Sequence, residues 1–296
     1  MLQINNISLT LDNNKILDKI SLSIGQGKIY GLIGPNGVGK TTLIKCLVGI
    51  YKVDEGEILY DGSNIYDNIE TKKRVAYVAD ENKFFSSFKV RDIVKYYKFA
   101  YDNFDENKFN KLNKVFNVPL NRRLSQLSKG TKMRVSIIIA LCQGADYIIL
   151  DEPTSGLDPI LKNKLMKILM NEVLDRGITI IISSHHLTEL EKKCDDVAII
   201  KDGKIQYENS LEEMKKKIRK IQVAFDAPVY EDDLNINGIY KISKVGRVFT
   251  IITDNYSEEF KEALNKFDPL FIEEIDLALE DIFIYRVGGE DDEEII

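Results

Sequence analysis

Gly34-Pro35-Asn36-Gly37-Val38-Gly39-Lys40-Thr41-Thr42 fits the pattern G-x-x-x-x-G-K-S/T. That spacing suits phosphate chemistry: the glycines let successive backbone N–H groups curl around phosphate oxygens, and a helix starting near Lys40 aims its positive dipole end at them. Lys40 is expected to reach the β- and γ-phosphates and Thr41 to place its hydroxyl on Mg²⁺. The expected phosphate-contacting set is Asn36, Gly37, Gly39, Lys40, Thr41 and Thr42. A second group with chemical potential is Tyr147-Ile148-Ile149-Leu150-Asp151-Glu152, an apolar run closed by two carboxylates. A strand of that kind delivers its carboxylates to the crevice where ligands of parallel sheets sit. Asp151 then holds Mg²⁺ through water and Glu152 polarises the attacking water. An Asp-Glu pair closing a strand is often only solvated surface; beside a phosphate loop it gains a purpose.

Both groups need a scaffold, and the hydrophobic pattern supplies one. Ile29 to Ile33 reads as a strand entering the glycine-rich turn, and Thr42 to Val48 as the helix leaving it. Tyr147 to Leu150 and Ile178 to Ser183 read as two buried strands separated by a helix from Leu161 to Leu174. Strands alternating with helices imply a parallel α/β sheet with both faces covered. Residues 2 to 30 alternate instead, broken by Asp12-Asn13-Asn14, which predicts an antiparallel start. Residues 84 to 145 read as helical, in segments Val90 to Tyr101, Glu106 to Phe116 and Lys129 to Leu141.

From the ordered motifs, the sequence resembles the ATP-binding cassette (ABC) family over roughly residues 1 to 210. Leu127-Ser128-Lys129-Gly130-Thr131 matches the signature L-S-G-G-Q in three of five positions. Ser155-Gly156-Leu157-Asp158 matches the loop after the second carboxylate, and Ser183-Ser184-His185 closes the next strand where the family keeps its switch histidine. The resemblance implies an α/β fold: a phosphate-loop ATPase core with an antiparallel β subdomain and a helical subdomain (about 84–145). It implies ATP and Mg²⁺ as cofactors. Two cassettes would dimerise head to tail, as a homodimer or a heterodimer with a sibling. Each nucleotide would lie between one subunit's phosphate loop and the other's Ser128 and Gly130, where the start of a helix capped by Ser128 can grip a γ-phosphate. Aligned with the family motif, His185 contacts the γ-phosphate beside the catalytic Glu152, and His186 is packing or surface; the reverse assignment is the alternative.

Several residues depart from the family pattern. Leu11 stands where an aromatic ring usually stacks on adenine. Asp80, followed by Glu81, stands where a glutamine usually follows the strand Val75 to Ala79; its oxygen can still serve Mg²⁺, although its charge opposes the phosphates until the metal is present. The expected metal set is thus Thr41, Asp80 and Asp151. Lys129 replaces the signature's first glycine, adding positive charge beside the partner's nucleotide or else pointing into solvent. Signatures of this form are most similar to those of bacterial multidrug, antibiotic and peptide exporters with separate membrane subunits.

The 296 residues suit about two domains, and 44% hydrophobic residues suffice for a sizeable core. Beyond a lysine-rich stretch expected as a linker helix (211–220), strands near Ile221 to Phe225, Val248 to Thr253 and Leu270 to Ile275 with a helix near Glu258 to Phe267 predict a small C-terminal α+β domain (221–288). An acidic tail follows (289–296). A net charge of −6 argues against nucleic-acid binding through bulk charge. Three scattered cysteines form no metal or disulfide pattern. No apolar stretch approaches the ~18 residues a spanning helix needs, so an integral membrane permease would have to be a separate chain, with this one at the cytoplasmic face of the cell membrane. Phe84, Phe85, Phe88, Tyr96, Tyr97, Phe99 and Tyr101 are candidates for that contact or for core packing. The leading expectation is the ATP-hydrolysing subunit of an exporter; the alternatives are a soluble non-transport ABC ATPase and an ATP-binding regulator or sensor.

Overall fold

The computed structural model describes every residue except 82–84, 186, 192, 211, 214–217, 280 and 282–296. Two compact units divide the chain: Met1–His186 with Lys193–Glu208, and Leu187–Lys192 with Asn209 onward.

The first unit opens with the hairpin of β1 (Leu2–Leu11) and β2 (Asn14–Ile24). Asp12 and Asn13 turn the chain at φ of 48° and 64°, a left-handed conformation that their short polar side chains tolerate. With β4 (Glu55–Tyr60) and β5 (Ser63–Asn64) they form an antiparallel sheet in the order β2-β1-β4-β5. A second sheet contains β3 (Ile29–Ile33), β6 (Val75–Val78), β7 (Tyr147–Asp151), β8 (Thr179–Ser184), β9 (Asp196–Lys201) and β10 (Lys204–Ser210), in the order β10-β9-β3-β8-β7-β6. Strands β9, β3, β8, β7 and β6 are mutually parallel along that order. Every residue of β3, β7 and β8 is buried, the signature of a sheet covered on both faces. α1 (Lys40–Leu47) packs Leu43 and Ile44 into a core shared with Ile7, Leu17, Tyr60 and Ile181, so both sheets brace the loop before it.

The remaining helices are α2 (Ile69–Lys73), α3 (Val90–Ala100), α4 (Glu106–Phe116), α5 (Lys129–Cys142) and α6 (Pro159–Arg176). Their starts follow the local chemistry of caps: Asp105, Ser128 and Asp158 each accept a backbone N–H from the first turn of α4, α5 and α6. α3 and α4 pack on α5, giving helical structure within the stretch 84–145. No helix among the described residues is long and apolar enough to cross a membrane.

The second unit holds α7 (Leu187–Leu190), β11 (Arg219–Phe225), β12 (Ile239–Val245), β13 (Val248–Thr253), α8 (Glu258–Asn265) and β14 (Pro269–Ile275). Its antiparallel sheet runs β12-β13-β11-β14, with Val223, Phe225, Phe249, Ile251, Phe260 and Leu264 in the core. Two sequence readings need correction here. The stretch expected as a linker helix reaches residue 220, but Arg219 and Lys220 belong to β11 and pair with Thr253 and Ile252 of β13; 211 and 214–217 lie outside the described residues. Strand β12 was not anticipated: most of its residues are exposed, and pairing with β13 across Gly246, at φ 63°, decides its conformation where intrinsic pattern is weak. Phe84, His186, the acidic run Glu290 to Glu294 and the domain end near 287 lie outside the described residues.

Candidate active site

The C-terminal ends of β3, β7 and β8 meet at one edge of the parallel sheet, in matched register: Ile33 opposite Ser184, and Asp151 opposite Ser183. β3 delivers Gly34 there, and a Cβ on Gly34 would lie 2.4 Å from the Ile200 carbonyl oxygen, so only glycine allows the loop to leave the strand so close to β9. Gly37 and Gly39 take φ of 83° and 107°, which other residues adopt only with strain. α1 begins without a side-chain cap, leaving its first N–H groups for a ligand. Asn36, Gly37 and Thr41 are exposed and Thr42 is half-buried.

Lys40 is buried, and its Nζ donates to the carbonyls of Gly34 (2.6 Å) and Pro35 (2.8 Å). Burial lowers its pKa, while the negative charges of Glu152 and Asp151 push the other way. The lysine and both carboxylates therefore share one electrostatic neighbourhood.

Asp151 and Ser183 are almost wholly buried. Ser183 Oγ donates to Asp151 Oδ1 at 2.6 Å and accepts from the Glu152 backbone N–H at 3.0 Å. One hydroxyl thus ties down both acidic residues. Glu152 itself sits at φ 49°, a left-handed conformation in which a non-glycine residue costs about 1–2 kcal/mol. Its Oε1 lies 2.9 Å from His185 Nδ1, while its Oε2 is buried with no hydrogen-bond partner among the described residues. A carboxylate held by one oxygen, with the other left without a donor, can accept a proton.

Among the described residues no group of three or more His, Cys, Asp or Glu could hold a metal ion by itself. Mg²⁺ takes one or two carboxylates and fills the rest of its shell with phosphate and water oxygens. Asp151, engaged by Ser183 through one oxygen, with the exposed Thr41 hydroxyl, is a donor set of that sparse kind.

A second cluster forms at the start of α5. Ser128 Oγ accepts from the Thr131 N–H at 3.3 Å and lies 2.9 Å from Thr131 Oγ1. Gly130 meets the loop following Glu152: a Cβ there would lie 2.1 Å from the Gly156 carbonyl oxygen. Lys129 keeps partial solvent exposure and places its Nζ 2.7 Å from Asp80 Oδ1. Asp80 follows β6 by two residues, beside the edge that carries Asp151.

Leu11 is partly buried against the core and is no stacking platform. The aromatic candidates divide: Phe85, Tyr97 and Tyr101 are half-buried in a ring cluster, while Phe88, Tyr96 and Phe99 are exposed. Sequence reasoning missed the work of Ser183; a hydroxyl ending the apolar run Ile178 to Ile182 was the available signal. It also missed the Gly130–Gly156 approach and the Lys129–Asp80 pair, each of which joins segments remote in sequence.

Residues 17–155 match the family model described as ABC transporter. The chain is 30% identical to the ABC transporter ATP-binding protein YtrB of Bacillus subtilis, over 98% of this chain and 99% of that one. It is 35% identical to the SkfA peptide export ATP-binding protein SkfE of the same species, over 74% of this chain and 96% of that one. Among solved structures it is similar to an ATP-binding subunit of an ABC transporter, with a TM-score of 0.67 and 25% identity over 73% of this chain and 92% of that one.

Proposed function

The chain belongs to the ABC transporter ATP-binding family, and from that membership we propose that it is the ATP-hydrolysing subunit of an exporter of antibiotics, amphipathic peptides or other hydrophobic compounds. It drives a separate membrane-spanning permease from the cytoplasmic face of the cell membrane. The peptide-export function named for SkfE supports the direction of transport.

The single observation that carries the hydrolytic reading is the Asp151–Ser183–Glu152–His185 network set opposite Lys40. Lys40 exchanges its two loop carbonyls for phosphate oxygens, trading neutral acceptors for charged ones. Asn36, Gly37, Gly39, Thr41 and Thr42 bind the phosphates through backbone N–H groups and hydroxyls. Bound magnesium, held by Thr41 and Asp151 with Asp80 as a further donor, supplies electrostatic stabilisation of the phosphoryl oxygens. Glu152 accepts the proton of the attacking water through Oε2, and His185 fixes the carboxylate through Oε1 and reaches toward the γ-phosphate. Ser128 and the N–H groups at the start of α5, with Gly130, close on the γ-phosphate bound by a second cassette, identical or a sibling. That contact disappears on hydrolysis, so ATP favours the closed pair and ADP the open one. Exposed Phe88, Tyr96 and Phe99 give the permease aromatic anchors.

Glu152→Gln tests the assignment. The variant should lose hydrolysis and accumulate as an ATP-bound dimer, read by phosphate release and size-exclusion chromatography; normal turnover would remove Glu152 from its role, and a parent protein that binds ATP without turnover would favour the sensor reading.

A further inference from the structure

An open cavity of about 190 Å³ beyond β6 is lined by Ala79, Asp80, Glu81, Lys129, Lys132 and Met133. It brings together two residues, an acid at 80 and a lysine at 129, that each depart from the family pattern. β6 pairs in parallel with β7, Val78 opposite Leu150, so Asp80 emerges one strand away from Asp151. As a magnesium donor, the role given it above, Asp80 would stand near the phosphates and, uncompensated, would repel them. Asp80 Oδ1 is shielded from solvent, and its close approach to Lys129 Nζ is an ion pair without hydrogen-bond alignment. Both side chains keep partial solvent access. A contact held by charge alone in such a setting is exchangeable. The start of α5 adds its own positive dipole end to the same side.

We propose, resting on the hydrolytic reading above, that Lys129 is the standing counter-ion of Asp80 and a positioning residue for the metal: it neutralises the carboxylate until magnesium nucleotide arrives, then gives it up to the metal. The pair leaves the Asp80 charge compensated toward phosphates in the absence of Mg²⁺ and the carboxylate available as an oxygen donor in its presence. One lysine thereby couples the magnesium position to the segment that begins with Ser128.

Equilibrium ATP binding to the full chain, measured in EDTA and in Mg²⁺, separates this from a solvent-facing or phosphate-gripping lysine. Lys129→Gln should weaken metal-free ATP by on the order of tenfold, as expected for one uncompensated charge near the phosphates in a partly buried site. Its magnesium–ATP affinity should stay within about twofold. Lys129→Arg should behave as the parent, and the double variant Lys129→Gln/Asp80→Asn should recover metal-free binding. Lys132→Gln, removing the neighbouring cation of the same cavity, should leave the ratio of the two affinities unchanged. Circular dichroism melts identify any variant whose fold is lost, and the arginine and double variants then carry the test. Equal losses with and without Mg²⁺, no loss in either, a double variant that stays weak, or an equal effect from Lys132 would overturn the proposal. A parent protein that fails to bind magnesium–ATP at all would instead overturn the site assignment.

Discussion

Ser183→Ala removes a single oxygen, yet that oxygen serves both acids of the site. It donates to Asp151 Oδ1 at 2.6 Å and accepts from the Glu152 N–H at 3.0 Å, and the serine has no solvent exposure. A hydrogen bond to a charged group contributes about 1.5–3 kcal/mol, and an orphaned buried N–H costs about 1–3 kcal/mol. Taking the low end of each because neighbouring losses overlap, the variant should lose about 2.5 kcal/mol of stability, to be read from urea unfolding midpoints. A catalytic effect comes in addition to this stability loss, because Glu152 is released from the backbone anchor that aims its carboxylate. A kcat lower by roughly 10- to 100-fold is expected, measured by steady-state phosphate release on protein shown to be folded, with ATP affinity little changed since Lys40 and the loop are intact. Ser183→Cys, a near-isosteric weak donor, should fall between the two. Parental kcat and stability in the alanine variant would refute the idea that Ser183 positions both carboxylates.

Lys40→Ala should weaken ATP binding by about 10- to 100-fold, the loss of a charged hydrogen-bond donor; unchanged affinity in a binding titration would undo the phosphate-loop assignment. Gly130→Ala should cost about 1–3 kcal/mol by overpacking, because its Cβ would lie 2.1 Å from the Gly156 carbonyl oxygen; an unshifted thermal melt would show that the two segments separate freely. Partial burial pushes the Asp61 carboxyl up, but the Met1 ammonium, the Arg74 guanidinium and the Tyr147 hydroxyl outweigh it and hold the pKa at about 2. Being depressed below its unfolded value of ~3.9, it stabilises the fold fully above pH ~4, and that contribution fades as pH falls toward 2. Asp61→Asn should therefore flatten the acid limb of a stability-against-pH curve, and parallel curves would refute the network's contribution.

The strand-loop-helix from Ile29 to Leu47 was legible because its signals are local: Ile29 to Ile33, the glycines and Lys40 follow one another, and each favours the same conformation. Asp151 and Glu152 were legible for the same reason, as polar ends of an apolar run. Ser183 became meaningful only through the register that sets it opposite Asp151, which no periodicity encodes. Lys129 and Asp80 were each read alone, and their charges were assigned to nucleotide and metal; the fold assigns them to one another as well. In the second unit, the strands with apolar cores were found, while β12 exposes too much of its length to betray itself by alternation.

The left-handed backbone at Glu152 has an evolutionary corollary. A glycine at that position would relieve torsional strain of about 1–2 kcal/mol and also remove a sequestered oxygen that has no hydrogen-bond donor among the described residues. Selection for heat resistance alone should therefore drift toward discarding this side chain and, with Glu152 as the proposed base, would yield a sturdier protein that no longer turns over fuel. The acid stands against the preference of its own main chain, and a laboratory screen that scores melting without activity would be expected to enrich glycine at this codon.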